Sequence, residues 1–175
     1  MRSALMLWAL AALVAVPALA QQRGGAPVPQ QQQQPRRLGD FQAWTAAVHQ
    51  ESGQRVCYAF TRATRTDPER TGVILTVTHR ANGRDQVALS AGYTYPRNAA
   101  VTVAVGQTQF AFFTDGSSAF ARDGRAAVAA FRGGTSASAR GPRAGGRGTA
   151  TDSFSLSGFT AAYEAISREC PAGRR

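Results

Sequence analysis

The sequence contains no lysine: all 20 of its basic residues are arginine. Set against 10 acidic residues, they give a formal net charge of +10. No Lys-Ser or Lys-Thr follows a glycine cluster, which excludes a phosphate-cradling P-loop. Histidine occurs only at His49 and His79. Neither stands in an HExxH arrangement or beside cysteines at metal-ligand spacing, so no metal site is expected. No GxSxG turn is present to expose a nucleophilic serine. The acids fall in turns such as Asp67-Pro68-Glu69 and Asp115-Gly116 rather than in pairs suited to glycoside hydrolysis. Basic segments lack the interleaved aromatics that stack nucleic-acid bases, so no specific nucleic-acid partner is expected. The composition thus names no catalytic residue and no cofactor.

Long apolar runs are also missing after residue 20. The one near the start, Ala4 to Val16, is shorter than the about 20 residues that span a bilayer. Arg2 precedes it, Pro17 breaks it, and Ala18-Leu19-Ala20 is a small-x-small cleavage site. Residues 1–20 therefore read as a secretory signal, and the mature chain is expected in the periplasm or outside the cell. Residues 21–38 carry Gln30 to Gln34 with Pro27, Pro29 and several glycines. Such a segment has almost nothing to bury and is expected to be a disordered linker. A single domain then covers 39–172, with a tail at 173–175. Alanine is the commonest residue, and this with the all-arginine basicity reads as a coding bias of the source genome. The charge is discounted accordingly as a sign of an anionic partner.

Within the domain, short apolar stretches alternate with turn residues every 8 to 12 positions. The expectation is a mainly β fold, an antiparallel sandwich or barrel-like domain, with one short internal helix and a C-terminal helix packed on a sheet. Phe41 to Val48 and Arg55 to Thr61 read as strands. Gly72 to His79 and Gln86 to Tyr95 read as a hairpin around Asn82-Gly83, with a bulge that pairs Val77 with Leu89 and Leu75 with Ala91. Ala100 to Val105 and Thr108 to Thr114 flank Gly106-Gln107, a type II′ sequence that pairs Val103 with Phe110 and Val101 with Phe112. Asp123 is placed to cap a helix over Gly124 to Arg132. Thr135 to Ala139 and Thr149 to Leu156 read as strands around an Arg/Gly loop. A last helix over Phe159 to Glu169 is expected to start at Ser157 and to carry an exposed Glu164–Arg168 pair.

The spacing of that helix puts Cys170 on the stripe of Phe159, Tyr163 and Ile166. Strand alternation puts Cys57 beside Ala59 on a face of small residues, where a helix can approach closely. Two cysteines in an exported chain then predict a Cys57–Cys170 disulfide. The one segment with binding chemistry is the loop Arg140 to Gly148. There Arg140, Arg143 and Arg147 with glycine amides are placed to grip an anionic polymer such as lipopolysaccharide or a sulfated glycan. His79 at a strand end and His49 in a polar connection read as structural and solvated. A secreted hydrolase is the least supported class.

Several features occur together in an order that resembles the invasion-associated locus B family of exported bacterial proteins. They are Phe41-x-x-Trp44, Cys57-Tyr58-Ala59, Gly92-Tyr93-x-Tyr95, Phe110-x-x-Phe113-Thr114, the stretch Arg147-Gly148-Thr149 to Gly158-Phe159, and Cys170-Pro171. Phe120 stands where the resemblance leads one to expect tryptophan, and the Arg/Gly loop is longer. The resemblance implies a compact β domain with a terminal helix, no enzymatic activity and no cofactor. Taken with the signal segment and the strand pattern, it leads to the expectation of an exported domain acting through contacts with protein or with an envelope or host surface.

Overall fold

The computed structural model of the chain describes residues 34–172. The expected signal, most of the linker and the tail lie outside the described residues. Eleven strands form one sheet: β1 (Arg36–Phe41), β2 (Trp44–Glu51), β3 (Gln54–Arg62), β4 (Arg65–Asp67), β5 (Ile74–Arg80), β6 (Gly83–Ser90), β7 (Ala100–Val105), β8 (Thr108–Asp115), β9 (Ser118–Ala121), β10 (Ser136–Pro142) and β11 (Thr149–Ser155). Helix α1 (Gly124–Gly133) lies between β9 and β10, and α2 (Phe159–Glu169) follows β11. The strand order is β1-β2-β3-β5-β6-β9-β8-β7-β10-β11-β4, and every pairing is antiparallel.

The sheet does not close, but it curls so that β2, next to one end, approaches the segment after β11, near the other. The Ala43 amide donates to the Ser157 carbonyl at 3.2 Å. The Trp44 indole donates to the Ser155 carbonyl at 3.0 Å. Alternation along the strands sends Trp44, Ala46, Cys57, Ala59, Leu75, Val77, Leu89, Val103 and Phe154 inward, all fully or almost fully buried. The helices occupy that inner side. Ala46 and Ala59 leave room for α2, whose Phe159 meets Trp44 at 4.8 Å and Phe131 of α1 at 5.5 Å between ring centroids. This is the mainly β fold with two helices that the residue pattern predicts.

The hairpin β7–β8 has the predicted register, with Val103 opposite Phe110 and Val101 opposite Phe112. Its turn glycine, Gly106, has φ +57°. Helix α1 begins as expected, with the Asp123 carboxylate accepting from the Ala126 amide at 2.9 Å.

Other expectations are corrected. The stretch from Phe41 to Val48 is not one strand. The chain reverses at Gln42-Ala43, and Arg36, Arg37 and Leu38, assigned to the linker, belong to β1. The β5–β6 hairpin turns at Ala81-Asn82, and its bulge sets Arg84 and Asp85 against His79. The body of the hairpin pairs Val77 with Val87 and Leu75 with Leu89. That register gives Leu75 a branched partner on the buried face, where the predicted one set it against Ala91. Strands β4 and β9 were not foreseen. Arg140, Gly141 and Pro142 extend β10 rather than opening a loop.

Helix α2 is not capped by Ser157. Its N-cap is Gly158 at φ +87°, where an added Cβ would lie 1.9 Å from the Phe41 carbonyl oxygen. Only glycine lets the β1–β2 turn and the start of α2 approach so closely. Glu164 faces Arg132 of α1 at 3.6 Å rather than Arg168.

Candidate functional site

The three arginines of the predicted binding segment are placed differently from one another. Arg140 projects from β10, exposed, opposite Thr151 of β11 and Thr102 of β7. Arg143 folds back on its own hairpin: its Nε donates to the Thr149 carbonyl at 2.9 Å, and Asp67 lies at 3.6 Å. Arg147 follows a single 3-10 turn over Ala144–Gly146 and is exposed. The glycines let the turn form, with Gly145 at φ +77° and Gly146 at φ +79°.

The densest polar cluster was not anticipated. Asp152, 3 % exposed, projects inward from β11 between Ala150 and Phe154. Arg70, from the β4–β5 connection, meets it with Nη2 at 2.5 and 2.6 Å from its two carboxylate oxygens. The same guanidinium donates to the Ala91 carbonyl at 2.8 Å and the Pro68 carbonyl at 2.9 Å, and lies 5.2 Å from the Tyr93 ring centroid. Burial pushes the Asp152 carboxyl above its ordinary value, and Arg70 works against that shift. Tyr93 donates to the Pro142 carbonyl at 2.6 Å, and Tyr95 packs edge-on against it. The arrangement ties three connections together. A signal for it exists in the sequence: in a strand read by twos, Asp152 falls in phase with Ala150 and Phe154.

A second cluster surrounds His79, which is 0 % exposed. Its Nε2 lies 3.1 Å from Ser167 Oγ on α2, and its Nδ1 lies 3.8 Å from the Asp85 carboxylate. These are the residue types of a hydrolytic triad, but they are wired in the opposite sense. The Asp85 backbone N–H donates to Nδ1 at 3.3 Å. Nδ1 is therefore the acceptor, Nε2 carries the proton, and the ring donates to Ser167 instead of activating it. The Asp85 carboxylate accepts from the Tyr163 hydroxyl at 2.8 Å. Arg84 donates to Ser167 Oγ at 3.2 Å and also to the Cys170 carbonyl. All these groups clamp the end of α2 to β5 and β6.

Next to them Cys57, directly opposite His79 in the sheet, forms the predicted disulfide with Cys170, with 6.0 Å between the Cα atoms. Among the described residues no three His, Cys, Asp or Glu side chains converge as metal ligands would. No described helix is long and apolar enough to cross a membrane.

Burial lowers the His79 pKa from 6.5 to about 4, with Arg84 adding to the effect and Asp85 opposing it. The unfolded imidazole takes up its proton near pH 6.5, the folded one only near 4. Between these values unfolding gains a proton, so stability falls as pH falls; outside the window His79 adds no slope. The expected loss across it is about 3 kcal/mol. Urea midpoints measured from pH 7 to pH 4 check this. His79→Gln should be less stable at pH 7 and flatter across the window, and an unchanged slope would assign the dependence to another group.

A curled antiparallel sheet with two helices on its inner face, stapled to its C-terminal helix by a disulfide, defines a class of compact β domain. The chain matches the family model described as invasion associated locus B (IalB) protein over residues 44–167, and it belongs to that family. Its structure is similar to the crystal structure of invasion associated protein b from Bartonella henselae. The TM-score is 0.60 at 20% sequence identity, covering 75% of this chain and 95% of that one. No curated protein sequence matches the chain.

Proposed function

We propose that this protein is an exported, non-catalytic envelope domain of the IalB family that acts through contacts of its surface with protein, envelope or host-surface partners. The observation that carries this reading is the wiring of the Ser167–His79–Asp85 group. In this group, built on the fully buried His79, the imidazole faces the wrong way for proton abstraction, and the contacts serve to hold a helix. The interior around it is filled by a continuous apolar core. The disulfide adds support, since such bonds persist in oxidising compartments outside the cytoplasm.

The test is export followed by capture. Expressed in a bacterial host, the protein should leave the cytoplasm with Gln21 as its first residue. Crosslinking in intact cells should then give an adduct with an envelope component. Retention in the cytoplasm with Met1 in place, or export with no adduct, would overturn the reading.

A second reading is binding of anionic polymers through Arg140, Arg143 and Arg147. What favours it is that neither Arg140 nor Arg147 has an ion-pair partner among the described residues. Retention on immobilised heparin at physiological salt, lost when all three are changed to alanine, is the expected result. Retention that survives the triple change removes the loop from consideration.

A further inference from the structure

The outer face of the sheet carries a feature that appears only when strands are read sideways. Across β10, β7, β8 and the end of β9 the register places Arg140, Thr102, Ala111 and Arg122 in one row. The Arg122 amide donates to the Ala111 carbonyl at 3.0 Å, which fixes the last step. Two exposed arginines thus stand at the ends of a short trough floored by a hydroxyl and a methyl group. Three strand spacings separate them, about 14 Å between backbones.

The neighbouring row forms a wall. It consists of Ala100, Phe113 and Phe120, also in register. Phe113 is 44% exposed, the one large apolar side chain so exposed among the described residues. It is nevertheless held in place: Phe120 stacks on it at 5.6 Å, and the Arg122 guanidinium lies 5.7 Å from its centroid. A shallow hollow of about 300 Å³ lies over Ala100, Thr102, Ala111 and Phe113 and is bounded by Arg122; Arg140 stands one strand beyond it, across from Thr102. Neither Arg122 nor Arg140 has an ion-pair partner among the described residues. Beyond Arg140 the row continues through Thr151 to Asp67, whose carboxylate faces Arg143.

We propose that this trough binds an anionic saccharide, a sugar chain bearing sulfate or carboxylate groups. The exposed part of the Phe113 ring, held by Phe120 and Arg122, takes the apolar C–H surface of a sugar ring. Guanidinium groups at both ends take oxyanions by paired, charge-assisted hydrogen bonds. The Thr102 hydroxyl is available to a sugar hydroxyl between them. The inference rests on the anionic-polymer reading and moves its site from the Arg143–Arg147 turn to the sheet face, with Arg140 common to both.

The experiment is calorimetric titration of the oxidised mature protein at physiological salt with a heparin tetrasaccharide, neutral maltotetraose and phosphatidylglycerol vesicles. R122Q, R140Q, R143Q and R147Q each remove one identical charge, so a diffuse charge effect would weaken all four equally. The trough predicts instead that R122Q and R140Q weaken the heparin tetrasaccharide at least about tenfold, the loss of a charged hydrogen bond. R143Q and R147Q should change it by no more than about twofold, as remote screened charges do. F113S leaves the charge unaltered and should also lose at least about tenfold; F113L, apolar but without a ring, should do the same and covers the case in which F113S does not fold. Maltotetraose should not bind.

Equal weakening by all four arginine variants, or full binding by F113L, overturns the proposal. Binding that depends on Arg143 and Arg147 alone overturns it while leaving the second reading standing. No binding of the tetrasaccharide by the unaltered protein ends both. Vesicle binding lost in F113S, without saccharide binding, would make the face a lipid contact and equally overturn it.

Discussion

Replacing Arg70 with methionine should lower the stability of this domain by about 3–5 kcal/mol, because it strands the Asp152 carboxylate in the interior without its counter-ion. The loss is large beside a typical total of about 5–15 kcal/mol. It has three sources in the structure. The two contacts of Arg70 Nη2 with Asp152 disappear. The Ala91 and Pro68 carbonyls lose their donor. The Tyr93 ring loses the cation beside it.

The deficit should depend on pH in a definite direction. Burial already raises the Asp152 carboxyl, and removing Arg70 raises it further. A carboxyl with a raised folded pKa favours the protonated, folded state, so the deficit is greatest at neutral pH and shrinks as pH falls through that pKa. A second change, Asp152→Leu in the Arg70→Met background, should recover much of the loss by removing the stranded charge. Urea denaturation of the single and double variants at two pH values separates these terms. A single variant within about 1 kcal/mol of the parent would mean that water reaches Asp152 and that the pair is not a buried one.

The second large effect is expected from the disulfide. The cysteines are 113 positions apart, so reduction frees most of the domain from one closed loop. Chain-entropy reasoning gives a loss of up to about 5 kcal/mol for a loop of this size. Cys57→Ser, Cys170→Ser and the double variant should cost nearly the same, since any of them removes the same bond. The end of α2 is also held by Arg84 and by the His79–Ser167 contact. The reduced protein should therefore remain folded at neutral pH and lose that residual clamp first on acidification. A reduced protein as stable as the oxidised one would mean that these polar contacts alone fix the helix.

Much of this fold was written in local patterns. Gly106-Gln107 fixed the β7–β8 register because a two-residue turn leaves no freedom in the pairing. Asp123 fixed the start of α1 because a side-chain cap acts within three residues. The disulfide followed from two periodicities, one helical and one of strands, meeting at a face of small residues. What stayed hidden depends on partners distant in the chain. Strand β4 is three residues long and exists as a strand only because β11, more than 80 positions later, offers it an edge. The β5–β6 register turns on Asp85 adopting φ +56°, a choice made by the clamp around His79 rather than by the turn sequence. Arg140 was found as a candidate but placed in a loop. Arg122 and Phe113 were not connected to it, because a row across a sheet has no signature along any single strand.

The pairing of the chain's beginning with its end has a consequence for when folding can occur. Trp44 finds its hydrogen-bond acceptor at Ser155, Arg70 its carboxylate at Asp152, and Cys57 its sulfur at Cys170. A chain emerging in order, N-terminus first, holds the first member of each pair long before the second exists. Until β11 and α2 have arrived, β4 has no neighbour, the inner side of β2 and β3 lacks its helix, and Arg70 has no anion to meet. Partial chains should thus remain open and threadable. Closure becomes favourable only when the final segments are delivered, a schedule that would suit the export proposed above.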